Sequence, residues 1–143
     1  MEKQELISLA AEFFKKNPLV TLVTLHDGYP SARIVSDPFI HEGKLYVITG
    51  SSSRKIADIK AEPLCSVFGY SEKAYTYCNL RGLGKMVNDK SMREKFWKEE
   101  LTRYFPKGVE DPEYCFLEID IRGVEHVDYS KGFDEPVINR ELW

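Results

Sequence analysis

A chain of 143 residues has the length of one ordinary domain, enough to bury about 68–70% of the surface it exposes when unfolded. It carries 20 basic and 23 acidic side chains, a net charge of −3, and no basic stripe able to neutralise a phosphate backbone, so a nucleic-acid partner is excluded. No apolar run approaches the roughly 20 residues of a membrane-spanning helix. The charged start Met1-Glu2-Lys3-Gln4-Glu5 does not read as a secretory signal, which makes the cytoplasm the expected location. Aromatic residues reach 13%, open to two readings: a β-rich core, or stacking surfaces for a planar ligand.

Taken in order, Leu6, Leu9, Phe13 and Phe14 recur at helical spacing and predict a helix over residues 3–16, ended by Asn17-Pro18. Residues 19–25 (LVTLVTL) read as a strand, and Asp27-Gly28 as a hairpin turn into a returning strand over 31–40. His41-Glu42-Gly43-Lys44 is a second tight connection, and residues 45–49 complete an expected three-stranded meander. A serine-rich turn, Gly50-Ser51-Ser52-Ser53, leads to a short helix over 54–61 that Pro63 stops. Residues 64–70 and 74–87 form the next hairpin, in which Gly82 and Gly84 mark a barrel corner. A helix follows, opened by a capping box at Ser91-Met92-Arg93-Glu94 or by Asn88 or Asp89, with Met92, Phe96, Trp97, Leu101 and Tyr104 on one side. Over residues 114–128, Cys115, Leu117, Ile119 and Ile121 alternate with Phe116, Glu118, Asp120 and Arg122, a strand with one dry and one mostly wet face. Six strands at hairpin spacing with three helices predict a mainly β fold, a closed or nearly closed antiparallel barrel with flanking helices. Residues 1–130 read as a single domain and 131–143 as a tail.

Cys65, Cys78 and Cys115 lie in apolar, strand-like runs, where cysteine serves as a small hydrophobe and reduced thiols are expected. His26, His41 and His126 are scattered without a metal-ligand spacing, so no metal is expected. The chemically informative segment is Thr49-Gly50-Ser51-Ser52-Ser53-Arg54-Lys55. A helix start presents unpaired N–H groups and a partial positive charge, and two cations in its first turn oppose that dipole by about 0.3–1 kcal/mol each. An anion would offset the repulsion, and a phosphate held by serine hydroxyls, backbone N–H groups, a guanidinium and an ammonium is the candidate, against a merely solvated basic turn. Arg33, within Ser31-Ala32-Arg33-Ile34-Val35-Ser36, is a candidate second contact, or a solvent-facing strand arginine. Tyr75, Tyr77 and Asn79 could touch a ligand or face solvent. No nucleophile–base pair can be assembled, so catalytic residues stay unassigned and any reactive group is expected to be a cofactor.

The helix, the LVTLVTLHDGYPSARIVS hairpin, the KLYVITGSSSRKIADI strand-to-helix turn and the LRGLGKMVND strand end together resemble the pyridoxamine 5′-phosphate oxidase-like FMN-binding split barrels. The stretch from Phe96-Trp97 through Tyr104-Phe105-Pro106-Lys107-Gly108 and Asp111-Pro112 to Leu117-Glu118-Ile119 is similar to the general-stress-protein branch of that family. The resemblance implies a six-stranded split β-barrel over residues 1–130 and FMN at the interface of a homodimer. It also implies that Arg33, Ile34, Val35 and Ser36 line the flavin ring, and that Thr49, Gly50, Ser53, Arg54 and Lys55 hold its phosphate. Tyr77 stands where pyridoxamine-phosphate oxidases often carry a flavin-contacting glutamine. The chain lacks the Arg-x-His-type ending of those oxidases and closes on Asn139-Arg140-Glu141-Leu142-Trp143, so vitamin-B6 oxidation is not the implied activity. An FMN-dependent oxidoreductase taking electrons from a donor such as a reduced nicotinamide is implied, with a non-catalytic flavin, deazaflavin or haem binder as the alternative. A dimer would also cover aromatic surface that one small barrel does not bury, with Trp97, Phe133 and Trp143 the residues expected to need it.

Overall fold

The computed structural model describes residues 1–143 and contains eight strands and three α-helices. Helix α1 (Lys3–Lys16) lays Leu6, Ala10, Phe13 and Phe14 onto the sheet, as its periodicity predicts. Strands β1 (Leu19–His26) and β2 (Tyr29–Ser36) pair through a two-residue turn in which Asp27 and Gly28 both have positive φ (50° and 82°), the geometry that matches strand twist. The single returning strand expected over 31–40 divides at Asp37-Pro38, where φ of Asp37 is 55° and the proline interrupts the ladder. Its second part, β3 (Phe39–His41), pairs instead with β4 (Lys44–Gly50).

The expected meander is therefore split, and its halves lie at opposite ends of the sheet order β2-β1-β5-β6-β7-β4-β3. Helix α2 (Arg54–Ala61) packs Ile56 and Ile59 into the core and leads to the hairpin of β5 (Leu64–Ser71) and β6 (Thr76–Val87). The glycine expected at a barrel corner marks a bulge: the β6–β7 register shifts between Arg81 and Gly82. A Cβ on Gly82 would lie 2.1 Å from the Asp120 carbonyl oxygen, so no larger residue fits this backbone.

The long strand β7 (Tyr114–Asp128) ties the barrel together. Its first half pairs with β4 and its second half with β8 (Val137–Leu142), while β6 runs along its whole length. Eight strands thus replace the six predicted. Residues 131–143, expected as a tail, supply β8, and Trp143 packs on the core with its Nε1 donating to the Ile121 carbonyl at 2.7 Å. The wet face expected on β7 is also partly dry. Phe116 is fully buried and Glu118 nearly so, beneath a second apolar cluster of Tyr46, Phe105, Tyr114 and Phe116.

That cluster is roofed by α3 (Lys90–Lys95) and a short 3₁₀ turn at Glu99–Arg103, which replace the single long helix expected there. Asp89 caps α3, its Oδ1 accepting from the Ser91 N–H. Trp97 meets Tyr114 edge-on at 5.3 Å, so Trp97 and Trp143 both find cover within one chain; only Phe133 remains largely exposed. No helix is long and apolar enough to cross a membrane.

Candidate functional site

Strand β4 ends at Gly50, the chain turns through Ser51-Ser52-Ser53, and α2 begins at Arg54. No acidic residue occupies the first turn of α2, and the Ser53 side chain makes no capping hydrogen bond. Lys55 folds back so that its Nζ donates to Thr49 Oγ1 at 3.0 Å, and Ser53 Oγ lies 3.5 Å from the same hydroxyl. Burial, together with the nearby Arg33 charge, holds the Lys55 ammonium below the usual lysine range. Neither Arg54 nor Lys55 forms an ion pair. Two cations, one half-buried, thus stand at a helix start with no carboxylate partner.

Arg33 reaches this cluster from β2. Its partner across the ladder is the core residue Leu22, as that of Val35 is Val20, so both side chains point to the inner face, toward α2. Ile34, about two-thirds exposed, and Ser36 point to the outer face. The four residues expected along the flavin therefore split two and two. Because β2 ends the sheet order, one of its backbone edges carries no neighbouring strand. Arg33 Nη1 and Nη2 lie 3.4 Å from the Leu22 carbonyl and from Asp58 Oδ2.

Asp58 is a site residue that the sequence reading missed. It is almost completely buried, and Thr24 Oγ1 and the His26 ring both lie 2.8 Å from its carboxylate oxygens. Burial alone would raise its pKa, but the hydrogen bonds from His26 and Thr24, with the charges of His26 and Arg33, outweigh that and hold it below the usual carboxylate range. A signal was present: Asp58 stands between Ile56 and Ile59, the two residues on the core face of α2. The fold turns it inward, where it meets Arg33.

Arg33, Thr49, Ser53 and Lys55 thus converge, with Arg54 exposed at the rim. Gly50 faces elsewhere: a Cβ there would sit 3.0 Å from Glu113 Oε2. Tyr77 is on β6, its hydroxyl donating to Glu125 and its ring beside Phe68 and Tyr129; no contact in this chain joins it to the cationic turn. The donor set fits a phosphate monoester, with an ammonium, two guanidinium groups, two hydroxyls and the free N–H groups of a helix start.

The fold and this turn define a class: a split β-barrel with a cationic strand-to-helix turn beside an open strand edge. A sequence model of the family described as Pyridoxamine 5′-phosphate oxidase matches residues 8–128, and the chain belongs to that family. General stress protein 26 of Bacillus subtilis (strain 168) is 26% identical over 124 residues, covering 84% of this chain and 86% of that protein. Among solved structures, General Stress Protein 26 of Bacillus anthracis str. Sterne superposes with a TM-score of 0.75 at 25% identity, over 99% of this chain and 100% of that one. The general stress FMN/FAD binding protein of Xanthomonas citri, at 19% identity, shares the fold with a TM-score of 0.71 over 87% of this chain and 89% of its own.

Proposed function

We propose that this protein is a cytoplasmic FMN-binding flavoprotein that works as a homodimer and as a flavin-dependent oxidoreductase on a small molecule. The observation that carries the reading is the half-buried Lys55, paired with no carboxylate, at the start of α2 beside Arg33. Partial desolvation of an ammonium without a counter-ion is unfavourable, and a ligand phosphate would supply one. Lys55, Arg54, Arg33 and the Thr49 and Ser53 hydroxyls would hold the phosphate, and the open edge of β2 from Arg33 to Ser36 would offer backbone groups to the polar rim of the ring. When bound, FMN supplies hydride and electron transfer between a donor such as a reduced nicotinamide and an acceptor.

Dimerisation is supported by the outer face of β1, β2 and β5, where Leu19, Ile34, Leu64 and Tyr70 are each more than half exposed. A groove of about 550 Å³ on that face, floored by Val23, Leu25 and Leu83, would seat part of a second copy. Arg54→Ala with Lys55→Ala tests the phosphate contacts. Losing two charge-assisted bonds, one exposed, weakens FMN binding by about 3 kcal/mol, or roughly a hundredfold. Unchanged FMN affinity in that double variant overturns the assignment.

One observation favours a second reading, in which a flavin, a deazaflavin or a haem is held without turnover. Asp58, the carboxylate inside the cluster, is saturated by donors and held ionised, so it serves as a counter-charge rather than a proton donor. Anaerobic addition of NADH or NADPH to the FMN-loaded protein separates the two: bleaching of the flavin band supports the oxidoreductase, and an unchanged band supports the binding protein.

A further inference from the structure

The serine turn is strapped to the loop that precedes β7. The Ser51 N–H donates to the Glu113 carbonyl at 2.9 Å, and the Ser51 hydroxyl to the Pro112 carbonyl at 3.0 Å. Ser52 gives both of its donors to one carboxylate oxygen, Glu113 Oε2, its N–H at 3.1 Å and its hydroxyl at 2.9 Å. Gly50 leaves the space this carboxylate needs, since a Cβ there would sit 3.0 Å from Oε2. An anion belonging to the protein therefore occupies the donors of Ser52, two residues before the backbone N–H groups of Arg54 and Lys55, which have no partner; between them the Ser53 N–H closes the turn on the Gly50 carbonyl at 3.1 Å. The turn is divided into a filled half and an open half.

We infer that Glu113 is a specificity-determining residue that restricts the cationic turn to a single phosphate group and discriminates against a diphosphate. The inference rests on the proposed phosphate site. A monoester such as FMN needs only the open half, where Arg33, Lys55 and the start of α2 supply the positive charge. The second phosphate of a dinucleotide flavin such as FAD, directed along the turn, meets the Ser52 donors already taken and a fixed negative charge beside them. Repulsion between unit charges a few ångströms apart near a protein surface is large enough to set such a preference. Glu113 acts here through occupancy and charge, and not by touching the ring.

The test measures dissociation constants for riboflavin, FMN and FAD by fluorescence quenching in the wild-type chain, Glu113→Gln and Glu113→Ala. Gln keeps an acceptor for Ser52 and removes the charge, whereas Ala removes both. The wild type is expected to bind FMN more tightly than riboflavin and more tightly than FAD. In Glu113→Gln, FAD affinity rises about tenfold while FMN affinity stays within about threefold, and the gain fades with added salt. Glu113→Ala loses FMN affinity as the turn loosens, and the Gln variant restores it. Unchanged riboflavin binding in both variants reports an intact barrel. A wild type that binds FMN no more tightly than riboflavin overturns the phosphate reading itself. A clear phosphate preference with the same FAD-to-FMN ratio in wild type and Glu113→Gln overturns only the role of Glu113.

Discussion

Asp58→Ala tests the view that a buried carboxylate joins β1, β2 and α2. Thr24 is 1% exposed, and its hydroxyl loses its acceptor when Asp58 is removed. An unsatisfied buried donor costs about 1–3 kcal/mol. His26 and Arg33 have 52% and 22% of their side-chain surface in contact with solvent and recover water as a partner, so their lost bonds add only about 1 kcal/mol together. The expected loss is about 3 kcal/mol, or roughly 10 °C in Tm for a chain of this size. Urea denaturation followed by circular dichroism measures it.

The pH dependence follows from the depressed pKa of Asp58. A carboxylate whose folded pKa lies below its unfolded value near 3.9 contributes its full stability above that value. The contribution is lost as pH falls through the folded pKa. The stability gap between wild type and Asp58→Asn therefore narrows as pH falls below about 4. An Asp58→Ala variant within 1 kcal/mol of wild type, or a gap to Asp58→Asn that is as wide at pH 3 as at pH 7, refutes this reasoning.

Gly82→Ala forces a Cβ to within 2.1 Å of a backbone oxygen at the β6–β7 bulge and is expected to cost about 2–3 kcal/mol, read from the same urea curves. Burial pushes the thiols of Cys65 and Cys78 up to about 12 and that of Cys115 up to about 11, so all three react slowly with a disulfide reagent at pH 8 and rapidly in denaturant. Burial, with the hydrogen bond to Glu118, raises the Tyr46 phenol to about 12; Tyr46→Phe should leave the ultraviolet titration below pH 11 unchanged. Trp143→Ala removes the bond to the Ile121 carbonyl and part of the core contact; it should lower stability by about 1–2 kcal/mol and loosen β8, seen as faster hydrogen exchange over residues 123–128.

Much of the local structure was legible in the sequence. The period of α1 and α2 and the two-residue Asp27-Gly28 turn depend on residues a few positions apart, and each lies where its pattern places it, whereas Gly82, expected at a barrel corner, marks a bulge. The cations at the start of α2 were legible for the same reason, since the conflict with the helix dipole is contained in Ser53-Arg54-Lys55. Long-range arrangement was not. Nothing local tells that Asp37-Pro38 sends β2 and β3 to opposite ends of the sheet, or that residues 137–142 pair with β7. Periodicity reports which face of a strand is apolar, but not which strand lies beside it.

The sequence by itself thus determined the barrel's parts and located a turn with unbalanced positive charge, because propensity, turn chemistry and helix electrostatics act over a few residues. Only the tertiary structure decided what surrounds that turn: Arg33 from β2 and the inward Asp58 on one side, and on the other Glu113, which meets Ser52 from 61 positions away. Those contacts are set by how the strands pair and close, and so they exist only once the barrel has formed.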